Sequence, residues 1–109
     1  MPASYKVLGQ SNPAATTLST LYTVPSATSA VCSTISICNQ SNTIATYRIA
    51  IRPAGASIAA QHYLAYDATV GSNDAVLLTL GITLATTDVV SVYASTANVS
   101  FSLFGSEVT

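Results

Sequence analysis

Ionised side chains are scarce in this 109-residue chain: only Lys6, Arg48, Arg52, Asp67, Asp74, Asp88 and Glu107 carry charge at neutral pH, 6% of all residues, where about a quarter is usual. With no basic stripe, nucleic acid is not expected as a partner, because phosphate binding is carried by Lys and Arg. A net charge of -1 also removes the repulsion that keeps a freely diffusing monomer apart, so much of the surface is predicted to be covered by neighbouring subunits. Long apolar runs are missing too. Half of the residues are hydrophobic, yet no stretch approaches the roughly 18 to 20 consecutive apolar residues of a membrane-spanning helix, and a soluble chain with no membrane partner is expected.

Cysteine, histidine and tryptophan are equally sparse, and each shortage removes a chemistry. Cys32 and Cys38 are the only cysteines; on one extended strand their Cα atoms would lie about 20 Å apart, far beyond disulfide reach. Without a second Cys or His cluster no zinc site is expected, and both are read as free, buried thiols on a face of small residues. His62 is the sole histidine, so a Ser-His-Asp arrangement would have to use it with Asp67, Asp74 or Asp88. No Gly-x-Ser-x-Gly elbow accompanies it, and a strand histidine in structural use is the preferred reading. Asp67 and Asp74 supply two ligands where calcium wants six to eight oxygens, which leaves them turn and capping duty. The glycines stand singly at turns, never as a phosphate-cradling loop before a helix. The sequence therefore predicts no catalytic residue, no cofactor-binding residue, no metal ligand and no enzyme activity.

What is present is alternation. Between Ser29 and Pro53, Val31, Ile35 and Ile37 share one parity, as do Tyr47, Ile49 and Ile51. An extended strand sends alternate side chains to opposite faces, so each run offers one oily face. Cys32, Thr34, Ser36 and Cys38, then Thr46, Arg48, Ala50 and Arg52, occupy the other parity. Asn39-Gln40-Ser41-Asn42 is a turn by composition, and the whole reads as a central hairpin.

Around it, residues 4–9 make a first strand, and Gln10 to Ser19 reads as an extended arm or loop. Leu18, Leu21, Tyr22 and Val24 lead into a turn at Pro25. Pro53 to Ser57 ends the second strand of the hairpin, and Ser57 to Gln61 is long enough for one helical turn. Gln61 to Ala68, Ala75 to Leu80, Ile82 to Leu84, Val89 to Ala94 and Val99 to Phe104 supply further short strands, separated by turn residues such as Gly71-Ser72-Asn73-Asp74. About eight strands and no helical stripe predict an all-β fold, one domain over residues 1–109, built as a two-sheet antiparallel sandwich of immunoglobulin-like or jelly-roll topology. Four of the tyrosines, Tyr47, Tyr63, Tyr66 and Tyr93, are read as core or subunit contacts in preference to a sugar-binding platform. The opening Met-Pro-Ala-Ser-Tyr-Lys has no basic segment followed by an apolar run, which predicts a protein made and used without export; Pro2 after Met1 predicts removal of the initiator.

The segments LYTVPSATSAVCSTISICN, ATYRIAIRP, HYLAYDATV and SVYASTANVSFSLFGSE resemble small virion proteins of tailed bacteriophages, particularly those of cyanobacterial phages, over most of the chain from Lys6 to Glu107. The resemblance implies a structural part assembled in the host cytoplasm and located in the virion. Capsid decoration or cement proteins, often trimeric, bind the major capsid protein; β-sandwich modules of tail fibres or baseplates are the alternative, some of them glycan-binding. Decoration is favoured because the chain is one domain with no coiled-coil or repetitive shaft. A homotrimer bound to capsid or other virion proteins is the expectation that follows.

Overall fold

Alternating apolar and hydroxyl side chains, punctuated by Pro, Gly and Asn, fold into eight strands: β1 (Ala3–Ser11), β2 (Ser19–Thr23), β3 (Ser29–Asn39), β4 (Ala45–Arg52), β5 (Tyr63–Val70), β6 (Ala75–Leu84), β7 (Val89–Ala94) and β8 (Val99–Val108). The computed structural model describes residues 3–109, so Met1 and Pro2, where initiator removal is expected, lie outside the described residues. Two 3-10 turns, Pro53–Gly55 and Ala60–His62, are the only helical pieces among the described residues.

The strands form two antiparallel four-stranded sheets, ordered β1-β8-β3-β6 and β2-β7-β4-β5. Four of the pairings, β1 with β8, β2 with β7, β3 with β6 and β4 with β5, nest inside one another. The chain is therefore one long doubled ribbon whose closed end is the β4–β5 connection. Rolling that ribbon brings β3 beside β8 and β4 beside β7, which completes both sheets. This is the jelly-roll arrangement, and it decides between the two topologies that the strand pattern left open.

The predicted central hairpin is corrected by this topology. β3 and β4 lie in different sheets, so residues 40–44 form an arch across the sandwich. Asn39 explains why the arch holds. Its side chain is buried, its Nδ2 donates to the carbonyls of Thr43 (2.8 Å) and Gly71 (3.1 Å), and its Oδ1 accepts from the Ser41 amide at 3.0 Å. One amide side chain thus ties the β3–β4 arch to the neighbouring β5–β6 connection, and its own buried polar atoms are paired in doing so.

The core lies between the sheets and includes Ile35, Ile37, Tyr47, Ile49, Phe101 and Leu103, all buried. Each such side chain contributes about 1.5–3 kcal/mol by leaving water. Tyr47 meets Phe101 edge-on at 6.5 Å, so it belongs to the core rather than to a surface platform.

One bulge overturns the face assignment at the start of β3. Cys32 pairs with Gly105 of β8 and Thr34 with Phe104, leaving Ser33 as an extra residue. An inserted residue flips the parity of everything before it. Cys32 is consequently fully buried, while Val31, expected in the core, is 39% exposed. Cys38 stays on the outer face, so the two cysteines lie on opposite faces rather than together; both are free thiols. A matching irregularity in β1 between Val7 and Gly9 faces the same stretch of β8, so the first sheet bends there as a unit.

Of the expected 10–19 arm or loop, Gln10 and Ser11 complete β1 and Ser19 begins β2. The loop between them is held against the sandwich by buried Pro13 and by the Thr16 amide, which donates to the Ala94 carbonyl at 2.8 Å.

Candidate functional site

The outward face of the first sheet is free of ionised side chains. From β8 it presents Ser100, Ser102, Phe104 and Ser106; from β3, Val31, Ser33, Thr34, Ser36 and Cys38; and from β6, Leu77, Thr79 and Thr83. Tyr5 and Val7 on edge strand β1 extend it, and Tyr5 (86%) and Leu77 (66%) are largely exposed. A shallow groove crosses the face between Tyr5, Val7, Val31, Phe104 and Ser106, with Lys6 also contributing to its lining. The Ser33 bulge creates part of this surface, because it turns Val31 outward and places Ser33 beside Thr34.

Lys6 is the one cation on this sheet, and it is neutralised. Its Nζ lies 2.7 Å from Glu107 Oε1, and the Tyr22 hydroxyl, from the second sheet, donates to Glu107 Oε2. These hydrogen bonds, the one from Lys6 foremost, hold the Glu107 carboxyl below its ordinary value. Burial, then the Glu107 bond, raises the Tyr22 hydroxyl; burial alone pushes the neighbouring Cys32 thiol up to about 11. The group closes one end of the core with every charge matched, a use of these residues that strand alternation does not reveal.

The second sheet carries a different surface, centred on Arg48. β5 has a bulge here: Tyr47 pairs with Ala68 and Ile49 with Ala65, so Tyr66 and Asp67 together oppose the single residue Arg48. Asp67 takes the left-handed conformation that the extra residue requires (φ 53°), one that Asp and Asn adopt more readily than most residues. The effect is chemical. Arg48 Nε and Nη2 donate to the two oxygens of Asp67 at 2.7 and 3.3 Å, and its guanidinium carbon lies 4.1 Å from the Tyr66 ring centre and 4.2 Å from that of Tyr93. The Asp67 bonds raise the Arg48 pKa still further above its ordinary value. A forked carboxylate and two π faces together fix a side chain that is normally mobile.

Beside this stack, residues 53–62 fold back over the outward face of the second sheet. Ala50 and Ser91 point outward by alternation yet are buried, and neither is part of the core cluster. Arg52 fastens the covering segment, with Nε donating to Ser91 Oγ at 3.2 Å and Nη1 to the Ala56 carbonyl at 3.3 Å. His62 closes the second 3-10 turn instead of sitting in a strand, its Nδ1 accepting from the Ala59 amide at 3.1 Å. Between this segment and the sheet opens a pocket of about 650 Å³ lined by Ile58, Ala59, Ala60, Tyr63 and Tyr66. Tyr63 and Tyr66 stand at right angles there, 4.9 Å between ring centres.

The tyrosines weighed together in the sequence are thus divided. Tyr63, Tyr66 and Tyr93 gather on one surface, and Tyr47 does not join them. Arg48, read only as an outward polar residue, is the centre of that surface, and the one signal for it is the adjacent Tyr66-Asp67 pair interrupting a regular alternation. The remaining carboxylates serve turns: Asp74 Oδ1 accepts from the Ala75 amide at 2.8 Å, and Asp88 accepts from the Ala54 and Ala85 amides, both at 2.9 Å. Among the described residues no three His, Cys, Asp or Glu side chains converge as metal ligands, and no helix is long and apolar enough to cross a membrane. Compared with family models, curated proteins and solved structures, the chain matches none.

Proposed function

We propose that this chain is a non-enzymatic structural protein of a bacteriophage virion, a decoration or cement subunit that docks on the capsid as a homotrimer. The observation that carries the reading is the uncharged outward face of the first sheet, where Tyr5, Val7, Val31, Phe104 and Leu77 stand among hydroxyl groups. Such a face offers apolar and hydroxyl contact with no ion pair to desolvate. The jelly roll adds support by analogy, since that architecture recurs in viral capsid domains; it recurs in lectins as well, so architecture alone does not assign the role. Binding to a shell would add to capsid stability by mass action.

Attachment through such a face is insensitive to salt. Particles carrying the protein are to be washed from low ionic strength to about 1 M salt, where the Debye length falls to about 3 Å, and retention scored by protein gel and electron microscopy. Full occupancy throughout, with loss on Leu77→Asp or Val31→Asp in a protein that still folds, is the expected result. Shedding in high salt, or full decoration by both variants, would refute attachment through this face.

A further inference from the structure

We propose that the pocket between the 53–62 segment and β5 binds a neutral carbohydrate, with Tyr66 as the stacking platform. The site lies on the second sheet and does not depend on how the face of the first sheet is used. Its walls are apolar, from Ile58, Ala59 and Ala60, and its remaining sides are the two rings of Tyr63 and Tyr66. Because the rings meet at 88°, they form a corner that takes one flat ring on one plane and touches its edge with the other. The cleft is broad and open to solvent, with a volume of about 650 Å³.

Charge decides which ring. Arg48 and Asp67 are matched to each other through two hydrogen bonds, with the guanidinium against Tyr66 and Tyr93, and the Arg52 guanidinium is engaged by Ser91 Oγ and the Ala56 carbonyl. The site therefore presents neither an open cation for a phosphate or carboxylate nor an unmatched anion for an amine. It offers aromatic surface, methyl groups and two phenolic hydroxyls, which donate to and accept from a ligand. A sugar ring has the complementary make-up, with one face of C–H groups to lie on an aromatic plane and a rim of hydroxyls to donate and accept. A proline-rich peptide fits less well, because it docks across an aromatic-lined groove, and rings at right angles make a corner. Tyr66 is 59% exposed, and Arg48 holds its orientation before any ligand arrives, which lowers the ordering cost of binding.

The test uses the full chain and a panel of neutral glycans that includes maltotriose, cellotriose and chitotriose. Binding is followed by tyrosine fluorescence, which no tryptophan obscures, and by amide chemical shifts. At least one glycan is expected to saturate the protein with a Kd of about 1 mM or tighter, with shifts centred on Ile58, Tyr63 and Tyr66. Tyr66→Ala should weaken binding at least about tenfold in a protein that still melts cooperatively, whereas Tyr66→Phe keeps the stacking plane and most of the affinity. The proposal is overturned if no glycan on the panel saturates in that range, if affinity survives Tyr66→Ala, or if an oligoproline peptide occupies the pocket and the sugars do not.

Discussion

The Tyr22 hydroxyl donates a 2.5 Å hydrogen bond to Glu107, joining the two sheets where Lys6 neutralises the same carboxylate. A hydrogen bond to a charged acceptor contributes about 1.5–3 kcal/mol, so Tyr22→Phe should destabilise the protein by about that much in urea unfolding at neutral pH. The linkage has a definite sign. Glu107 titrates lower in the fold than its ordinary 4.5, so its contribution is present above that value and lost as pH falls through the folded value. Tyr22 titrates above its ordinary 10.0, so its contribution is present below that pH and fades as pH rises beyond it. Unfolding curves across both limbs should show the Tyr22→Phe protein losing less stability than the parent at each extreme.

Native-state alkylation should separate the two thiols. Cys38 lies partly exposed on the outward face and should react with iodoacetamide in the folded protein, whereas Cys32 is fully buried and its thiol is raised to about 11. Mass spectrometry is expected to find one modification in native buffer and two in denaturant. Equal reactivity of both cysteines would place them on one face and remove the Ser33 bulge.

Gly105 and Gly9 should resist replacement. A Cβ on Gly105 would overlap the Val31 carbonyl oxygen, and one on Gly9 would overlap that of Leu21. Neither neighbour is a side chain that can rotate away. Gly105→Ala and Gly9→Ala are each expected to cost about 1–3 kcal/mol, read as a lower urea midpoint, while Gly71→Ala, where a Cβ meets only the Asp74 side chain at 3.5 Å or more, should cost less.

Asn39→Leu keeps the branched outline of the side chain and deletes its bonds to Thr43, Gly71 and Ser41. Each lost hydrogen bond is worth about 0.5–1.5 kcal/mol net, so this variant should unfold at lower urea and exchange the amides of residues 40–44 faster. An unchanged exchange rate there would show that the arch is held by other contacts.

Local alternation made Ile35, Ile37, Tyr47 and Ile49 legible as core, because burial on one face of a strand is written at period two. Val31 and Cys32 were not legible. A single extra residue at Ser33 inverts the faces, and Ser33 has no property that distinguishes it from the hydroxyl residues around it. Asn39 to Asn42 read correctly as a turn and incorrectly as a hairpin turn, since polar composition reports where the chain reverses but not which sheet it enters next. The Tyr66-Asp67 bulge escaped for both reasons: its effect is to aim two successive side chains at Arg48, and that partner is 18 residues earlier than Tyr66 in the chain.

The nested ribbon also dictates an order of events. Ala3 pairs with Val108, and Ser11 with Phe101, so β1 has no strand to bond until β8 has left the ribosome. Only β4 and β5, at the closed end of the ribbon, can pair with a neighbour in sequence. Because closing long loops must precede the contacts that reward it, such a chain is expected to fold slowly for its size. The bulged β1, with Tyr5 and Val7 on one side, waits unpaired while the intervening strands are made, and the nascent protein depends on β8 to take that exposed segment out of reach of other chains.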